Sequence, residues 1–382
     1  MKSLAVLGST GSIGRQTLDV VRGLKGRFRI FALAAGRNRT LLEDQVREFS
    51  PAQVWSGGES DYDYLRAALG PTGPQWAAMD EMASHPEVDI VVVATTGRAG
   101  LLPTLAALQA GKVVALANKE VLVMAGHAIT TAARQGGGEL RPIDSEHSAI
   151  WQCLWGEEPA SVVRLILTAS GGAFRDRSLE ELRRVTPEEA LRHPTWQMGR
   201  KVTIDSATLL NKGLEAIEAR WLFGVPFERI EVVMHRQSIV HSLVEFADGS
   251  IKAQLGMPDM RLPIQCALAY PERLPCPSVP RLDLVQVGAL EFALPDLKRF
   301  PCLKLALEAG RRGGTYPAVL AAADEVAVEQ FLAGRIGFTD IASVLDGALA
   351  AHRPAADDSL DAVLEADQWA RAWAEDRIKA KA

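Results

Sequence analysis

The sequence predicts an α/β protein in three parts: an open, doubly wound sheet, an α+β middle and a helical bundle at the carboxyl end. Three observations carry this. Continuous apolar runs alternate with helical patterns in the amino-terminal part, as strands covered on both faces do. A later stretch alternates apolar and polar residues on either side of an Asp-Gly pair, the pattern of an antiparallel hairpin. Four Ala- and Leu-rich segments, at about 302–312, 317–335, 339–352 and 359–380, then read as helices with short breaks.

The first strand is Leu4 to Leu7, followed by GSTGSIG at residues 8–14 and a helical stretch, RQTLDVVRGL. Gly8, Gly11 and Gly14 give a G-x-x-G-x-x-G form of the dinucleotide fingerprint. Such glycines permit a tight turn and bring backbone N–H groups close to a pyrophosphate at a helix amino terminus. This makes the first part Rossmann-like; the plainer alternative is a glycine-rich strand–helix turn. The second strand, RIFALAAG, ends at Gly36 and runs into Arg37-Asn38-Arg39. An acidic residue there would favour a free ribose 2′-hydroxyl, whereas arginine attracts a 2′-phosphate, so the pattern predicts NADP rather than NAD. Two surface arginines in a loop are the alternative. DIVVVATTG (89–97) and KVVALANKE (112–120) are further strands, separated by the helix LLPTLAALQAG. Asn118, Lys119 and Glu120 follow a strand's carboxyl end, where such sheets place ligands.

A length of 382 residues implies two or three domains and a sizeable core. The net charge of −5 argues against a general nucleic-acid binder. Cys153, Cys266, Cys276 and Cys302 have no C-x-x-C spacing, so a thiol-rich zinc site and a disulfide framework are not expected. The first strand begins at once, leaving no room for a leader before it, and no apolar run reaches membrane-spanning length. The expectation is a cytoplasmic protein with no membrane partner.

The chain is organised around residues 193–215, HPTWQMGRKVTIDSATLLNKGLE. They read as a loop with a hinge at Gly199, a short strand over Lys201 to Ile204, and a helix capped by Asp205 or Ser206. On that helix Leu210, Leu214, Ile217 and Trp221 recur at core spacing. Thr208, Asn211, Lys212 and Glu215 fill an adjoining arc of about 100°. A solvated face with a Lys–Glu pair is the bland alternative.

Asp144 and Glu146 lie two apart in PIDSEHSAIWQCL. In an extended segment both would point to one side, where a cation would relieve their repulsion. With Glu215 they would form an oxygen site for a hard divalent cation. A helix amino terminus, with Asp144 or Ser145 as cap, fits the same residues. RLILTASGGAF (164–174) is a strand ending in Ser170-Gly171-Gly172, suited to a phosphate or sugar contact or to a simple turn. His235 and His241 lie on or near the hairpin strands and read as structural. The proline-rich stretch 271–301 reads as a linker across the surface.

In order, GSTGSIG, ANKE, IDSEHSAIWQCL, TASGGAF, HPTWQMGRK, IDSATLLNKGLEAIEARWLF, QSIVHSLVEFADGS, QLGMPDMR and YPAVLAAADEVAVEQFL closely resemble the 1-deoxy-D-xylulose 5-phosphate reductoisomerase family. The resemblance covers essentially the whole chain, and its most specific block is 193–223. It implies an NADP-binding domain over 1–143, a catalytic domain over 144–270 with a lid at 193–200, a linker over 271–301 and a helical domain over 302–382, in a homodimer. It implies rearrangement of a linear ketose phosphate to a branched aldehyde, then reduction by NADPH to 2-C-methyl-D-erythritol 4-phosphate, in non-mevalonate isoprenoid biosynthesis.

Carried over by motif, Asp144, Glu146 and Glu215 match the metal ligands, for Mg²⁺, Mn²⁺ or Co²⁺. Lys119, Ser145, Glu146, Ser170, His193, Ser206, Asn211, Lys212 and Glu215 match positions at the substrate, Trp196 and Met198 the lid over it. Lys119, Glu146 and His193 are the implied catalytic residues. Thr10, Gly11, Ser12, Ile13, Gly36, Arg37, Asn38, Asn118, Glu120 and Gly199 match cofactor positions. Departures are Val121, Gln197, Arg236, Asp324 and Arg37, where Ser, Ser, Pro, Asn and Lys are usual; none touches a metal or phosphate position. Two other classes compete. A plain NADP-dependent dehydrogenase would need no carboxylate triad, and a nucleotide-sensing regulator would need neither the triad nor Lys212.

Overall fold

The structure, a computed structural model, describes residues 1–70, 73–357 and 359–380. Contacts divide the chain into two compact units. One comprises Met1–Val121, Ile129–Ser148 and Asp259–Pro280; the other comprises Leu122–Ala128, Ala149–Pro258 and Arg281–Ala382. These boundaries differ from those expected. Residues 259–280 belong with the amino-terminal unit, because Ile264, Ala267 and Leu268 of the helix Arg261–Ala269 share a core with Leu4, Val6, Leu18 and Val92. The carboxyl-terminal helices belong with the middle of the chain rather than forming a domain of their own.

The first unit holds a seven-stranded sheet. Its strands are β1 (Lys2–Leu7), β2 (Phe28–Ala34), β3 (Gln53–Trp55), β4 (Gln75–Trp76), β5 (Ile90–Val93), β6 (Val113–Leu116) and β7 (Glu139–Pro142), in the order β4-β3-β2-β1-β5-β6-β7 and parallel throughout. The apolar runs expected to be strands are β1, β2, β5 and β6. The unexpected strands β3, β4 and β7 span two to four residues and carry little periodicity. The strand order reverses between β1 and β5, and ligands of such sheets bind at that switch point. There Gly8 has φ +93°, and a Cβ on it would lie 2.4 Å from the Ala94 carbonyl oxygen. A Cβ on Gly14 would lie 2.2 Å from the Gly8 oxygen. The fingerprint glycines thus let turn, helix and neighbouring strand approach within backbone contact.

The second unit is built on β8 (Val162–Ala169), β9 (Ile230–Met234), β10 (Val240–Phe246) and β11 (Ile251–Leu255), in the order β11-β10-β8-β9. The predicted hairpin is β10–β11, turning through Asp248 and Gly249 (φ +83°). β8 and β9 pair in parallel, so the sheet is mixed. One continuous core joins Leu165, Leu167, Leu210, Leu214 and Ile217 to Leu303, Ala306, Leu320, Phe331 and Leu345 of the carboxyl-terminal helices. Each large apolar side chain among them contributes about 1.5–3 kcal/mol on burial, which explains why those helices pack here. They span Pro301–Arg312, Tyr316–Leu332, Phe338–Ala351 and Leu360–Lys379, close to expectation. The stretch 271–301 contains only a short helical turn, Leu284–Val287, and one bridge, Ala293 to Met234, before the first of those helices begins at Pro301.

Residues 201–204 are not a strand. They lie in a helix, Arg200–Thr208, capped by Gly199. Val202, Thr203 and Ile204 look β-forming, but propensity is a weak prior that tertiary burial overrides. Thr203 adapts by donating its hydroxyl to the Gly199 carbonyl, 2.9 Å away. Asp205 and Ser206 are therefore helix residues rather than caps. A second helix, Leu210–Phe223, follows, and the joint is Leu209 at φ +61°, ψ +8°. Thr208 falls on the first helix, so the predicted polar arc is split, with Asn211, Lys212 and Glu215 on the second.

Gly14→Ala should lower stability by about 1–3 kcal/mol, because the clash is with backbone. A Cβ at Gly23, last in the same helix, meets nothing within 4 Å. Gly23→Ala should leave the melting temperature equal or higher, since alanine favours the helix by up to about 1 kcal/mol. Thermal unfolding of the two variants checks both signs.

Candidate active site

In the first unit the ligand-facing elements start at the carboxyl ends of β1 and β6. The helix Ser12–Gly23 has Gly11 as N-cap with no side-chain capping bond, so its first N–H groups remain open, as an anion site requires. Thr10, Gly11, Ser12 and Ile13 lie there. Beyond β2, Asn38 accepts a hydrogen bond from the Leu41 backbone N–H (3.1 Å) and caps the next helix. Arg39 is held by Asp61 (3.6 Å) and lies over the Tyr64 ring (4.6 Å). Arg37 is exposed and makes no ion pair among the described residues. After β6, the Asn118 amide donates to Thr95 Oγ1 (3.2 Å) and the Gly97 carbonyl (2.9 Å). Its Oδ1 is buried without a protein partner among the described residues, an acceptor left for a ligand.

Lys119 and Glu120 open the helix Lys119–Gly136 and are both buried. Lys119 Nζ lies 2.6 Å from Asp144 Oδ2. Asp144 and Glu146 do not sit in an extended segment. Asp144 precedes the helix Ser145–Cys153, and its carbonyl accepts from the Ser148 N–H (2.8 Å). Glu146 is in the first turn, where the helix dipole favours a carboxylate, and Ser145 Oγ donates to its Oε2 (2.5 Å). The helix-terminus alternative is thus the correct local structure.

The second unit gathers the remaining candidates. β8 ends at Ala169, and Ser170 leads into Gly171 and Gly172, both at positive φ. His193 Nε2 lies 3.1 Å from Ser170 Oγ and 3.1 Å from Ser206 Oγ. His193 Nδ1 accepts from the backbone N–H groups of Thr195 (3.1 Å) and Trp196 (2.9 Å). With Nδ1 an acceptor, the neutral ring carries its proton on Nε2 and donates toward the two serines. Burial, with Arg175 as a further cause, pushes the ring's pKa down to about 4. On the helix Leu210–Phe223, Glu215 is fully buried. It accepts from Lys212 Nζ at its Oε2 and from the Asn211 amide at its Oε1, each at 2.5 Å. Trp196 and Met198 are half-buried, and Trp196 leans toward buried His241, the ring centres 6.1 Å apart. His235 is structural, as expected: Nε2 accepts from the Ile239 and Val240 N–H groups and Nδ1 faces the Glu291 carbonyl.

Sequence reasoning missed Arg175 and the set made by Lys201 with Asp205 (2.7 Å) and Asp324 (2.8 Å). The paired glycines at 171–172, which turn the chain back after β8, were the available signal for Arg175. For Lys201 the signal was partial: Asp205 lies four residues on, but Asp324 is distant in sequence.

Three family models match: 1-deoxy-D-xylulose 5-phosphate reductoisomerase over residues 4–126, and two carboxyl-terminal domains of the same enzyme over 140–223 and 255–373. The chain is 55% identical over 376 residues to the 1-deoxy-D-xylulose 5-phosphate reductoisomerase of Pelotomaculum thermopropionicum, covering 97% of each chain. The chain belongs to the 1-deoxy-D-xylulose 5-phosphate reductoisomerase family. The enzyme of that name from Geobacillus kaustophilus is 54% identical over 98% of each chain. Among solved structures, a DOX-P reductoisomerase in complex with NADPH, fosmidomycin and magnesium superposes with a TM-score of 0.94 at 42% identity, covering 99% of this chain and 98% of that one. The Zymomonas mobilis enzyme in complex with NADPH gives 0.91 at 44% identity over 99% of each. The dehydrogenase and regulator alternatives give way to this family. Among the described residues no helix is long and apolar enough to cross a membrane.

The His193 ring should stay neutral down to about pH 5 in the folded protein, with the Nε2–H tautomer, and titrate near 4. Its folded pKa lies below the unfolded value of about 6.5, so this group's contribution to stability is complete above 6.5 and is lost as pH falls toward 4. Nitrogen-15 NMR of labelled histidines across that range checks tautomer and midpoint together.

Proposed function

We propose that the two sets of residues described above serve one reaction: Asp144, Glu146 and Glu215 hold a divalent cation, and Ser170, His193, Ser206, Asn211 and Lys212 take the phosphate of the sugar. The chain catalyses the NADPH- and divalent-metal-dependent conversion of 1-deoxy-D-xylulose 5-phosphate to 2-C-methyl-D-erythritol 4-phosphate. The observation that carries the site assignment is Glu215. A carboxylate this buried is costly unless its charge has a use or a partner. Lys212 and Asn211 fix it, and a plain hydride transfer gives it nothing to do.

The donor set is all oxygen, which fits a hard ion such as Mg²⁺ or Mn²⁺. When bound, that ion polarises the ketone and steadies developing negative charge. The chain's own residues do the rest. Lys119, buried against Asp144, places a positive charge where an oxyanion develops. His193, neutral with Nε2–H, donates without adding charge, and Ser170 and Ser206 have hydroxyls that can turn toward a phosphate oxygen. Asn211 Oδ1 is buried without a partner among the described residues, an acceptor suited to a substrate hydroxyl. Trp196 and Met198, in the loop ending at Gly199, act as the lid that keeps water from the aldehyde. NADPH binds over Thr10 to Ile13 and Gly36 to Asn38, with Asn118, Glu120 and Gly199 at its other end. The open helix terminus and the unpartnered Asn118 Oδ1 both suit that ligand.

A homodimer in the cytoplasm completes the reading. The homodimer is supported by the apolar side chains left exposed between Leu284 and Leu297, with Val285 at 90% and Leu294 at 86%. A second copy of the chain would cover them.

Glu215→Gln keeps the shape and removes a ligand charge. NADPH oxidation with 1-deoxy-D-xylulose 5-phosphate should fall by orders of magnitude, while NADPH binding and the melting temperature survive. Near-normal turnover at ordinary Mg²⁺, or turnover of the unmutated enzyme without any divalent ion, would sink the assignment.

Arg37 carries the cofactor choice. NADPH should be preferred to NADH, and Arg37→Asp should narrow that preference about tenfold or more, since a charge-assisted phosphate contact contributes about 1.5–3 kcal/mol. The measurement is kcat/KM with each cofactor; equal values in the unmutated enzyme would refute the 2′-phosphate argument.

A further inference from the structure

The turn after β8 is held from outside by a residue with no assigned role. Arg175 is five positions past Ser170, beyond the two positive-φ glycines. Its Nη1 donates to the Ser170 carbonyl and to the Arg236 carbonyl, each at 3.2 Å. These carbonyls belong to the loops that leave β8 and β9, neighbouring parallel strands. The junction is fixed from the other side as well: the His235 N–H donates to the Ala169 carbonyl at 2.7 Å. Gly171 makes the approach possible, because a Cβ there would lie 2.8 Å from Arg175 Cβ. With its carbonyl tied to Arg175, Ser170 presents Oγ to His193 Nε2 and to the Gly172 N–H, 3.3 Å away.

Charge points the same way. Lys212 lies against Glu215, so its charge is largely balanced before any phosphate arrives. His193 is neutral. Among the described residues the carboxylate in reach of Arg175 is Asp176, at 3.8 Å, which is exposed and sits closer to Arg236, at 2.6 Å. The guanidinium of Arg175 is therefore a poorly balanced positive charge behind the Ser170 turn, and it is only partly exposed. Its field already acts on His193, whose protonation it opposes. A field that opposes a proton on His193 favours a dianion beside it.

We propose that Arg175 is a substrate-positioning residue for the phosphate end of the sugar: it fixes the Ser170–Gly172 turn through the Ser170 carbonyl and adds positive potential there. The proposal rests on the reading that Ser170, His193, Ser206, Asn211 and Lys212 take the phosphate. Arg175 acts through Ser170 and through its field; no bond is made or broken at it.

The test uses the full chain with NADPH and Mg²⁺, comparing Arg175→Gln, Arg175→Lys and Ser206→Ala with the unmutated enzyme. Arg175→Gln should raise KM for 1-deoxy-D-xylulose 5-phosphate about tenfold and weaken inhibition by inorganic phosphate in parallel, with kcat within about threefold and KM for NADPH unchanged. The His193 midpoint should move up from its value near 4. Arg175→Lys keeps the charge but not the fork, so it should restore the His193 midpoint and part of KM. The proposal is overturned if Arg175→Gln leaves KM and phosphate inhibition within about twofold of normal while Ser206→Ala raises KM and weakens the inhibition. It is also overturned if kcat and melting temperature fall together and Arg175→Lys recovers nothing, the behaviour of a purely structural residue. If Ser206→Ala itself changes neither KM nor phosphate inhibition, the phosphate reading fails, and this proposal with it.

Discussion

One backbone torsion governs the two helices that carry the proposed site in the second unit: the left-handed conformation of Leu209, φ +61°. A non-glycine residue there costs about 1–2 kcal/mol. Leu209 is almost fully buried, which contributes about 1.5–3 kcal/mol and outweighs the strain. The torsion cuts what would be one long helix into Arg200–Thr208 and Leu210–Phe223. Ser206 then stays on the segment that faces His193, while Asn211, Lys212 and Glu215 start a new direction. A continuous helix would keep Thr208 and Glu215 on one rigid face and would fix Ser206 by the 100° step alone.

The polar groups of the site are held by pairing rather than by exposure. Lys119 lies on Asp144 and Lys212 on Glu215, so each of these four charges has an opposite charge at hydrogen-bond distance. Breaking one partner of such a pair is far more damaging than the pair is stabilising. These contacts are thus better understood as holding side chains in position than as sources of folding stability. Lys201 with Asp205 and Asp324 plays a different part, tying the first turn of the helix Arg200–Thr208 to the helix Tyr316–Leu332. Two carboxylates thus share the one lysine.

The same contrast separates the two ends of the cofactor region. The glycines at 8 and 14 are dictated by contact, because any side chain would meet backbone. Gly36 is not: a Cβ there meets nothing within 4 Å, and the neighbouring Arg37 is exposed to solvent. The turn after β1 is therefore closed to side chains, while the end of β2 is open to them.

By itself the sequence determined the doubly wound sheet, the hairpin at Asp248-Gly249, the four closing helices and nearly every residue proposed for the site. Those features are local: apolar runs, turn residues and motif spacing act within a few residues, so one chain suffices to read them. Tertiary structure decided the rest. It turned Val202–Ile204 into helix, with Thr203 and Ile204 buried and Ile204 in the core shared with helices far along the chain. It put Asp144 at a helix start rather than in a strand, moved residues 259–280 into the first unit, and joined the carboxyl-terminal helices to the middle of the chain. It also brought Arg175 under Ser170 and Asp324 to Lys201. Each of these depends on which distant apolar face or carbonyl happens to be opposite, and that information is not carried by the residues themselves but by the packing that brings them together.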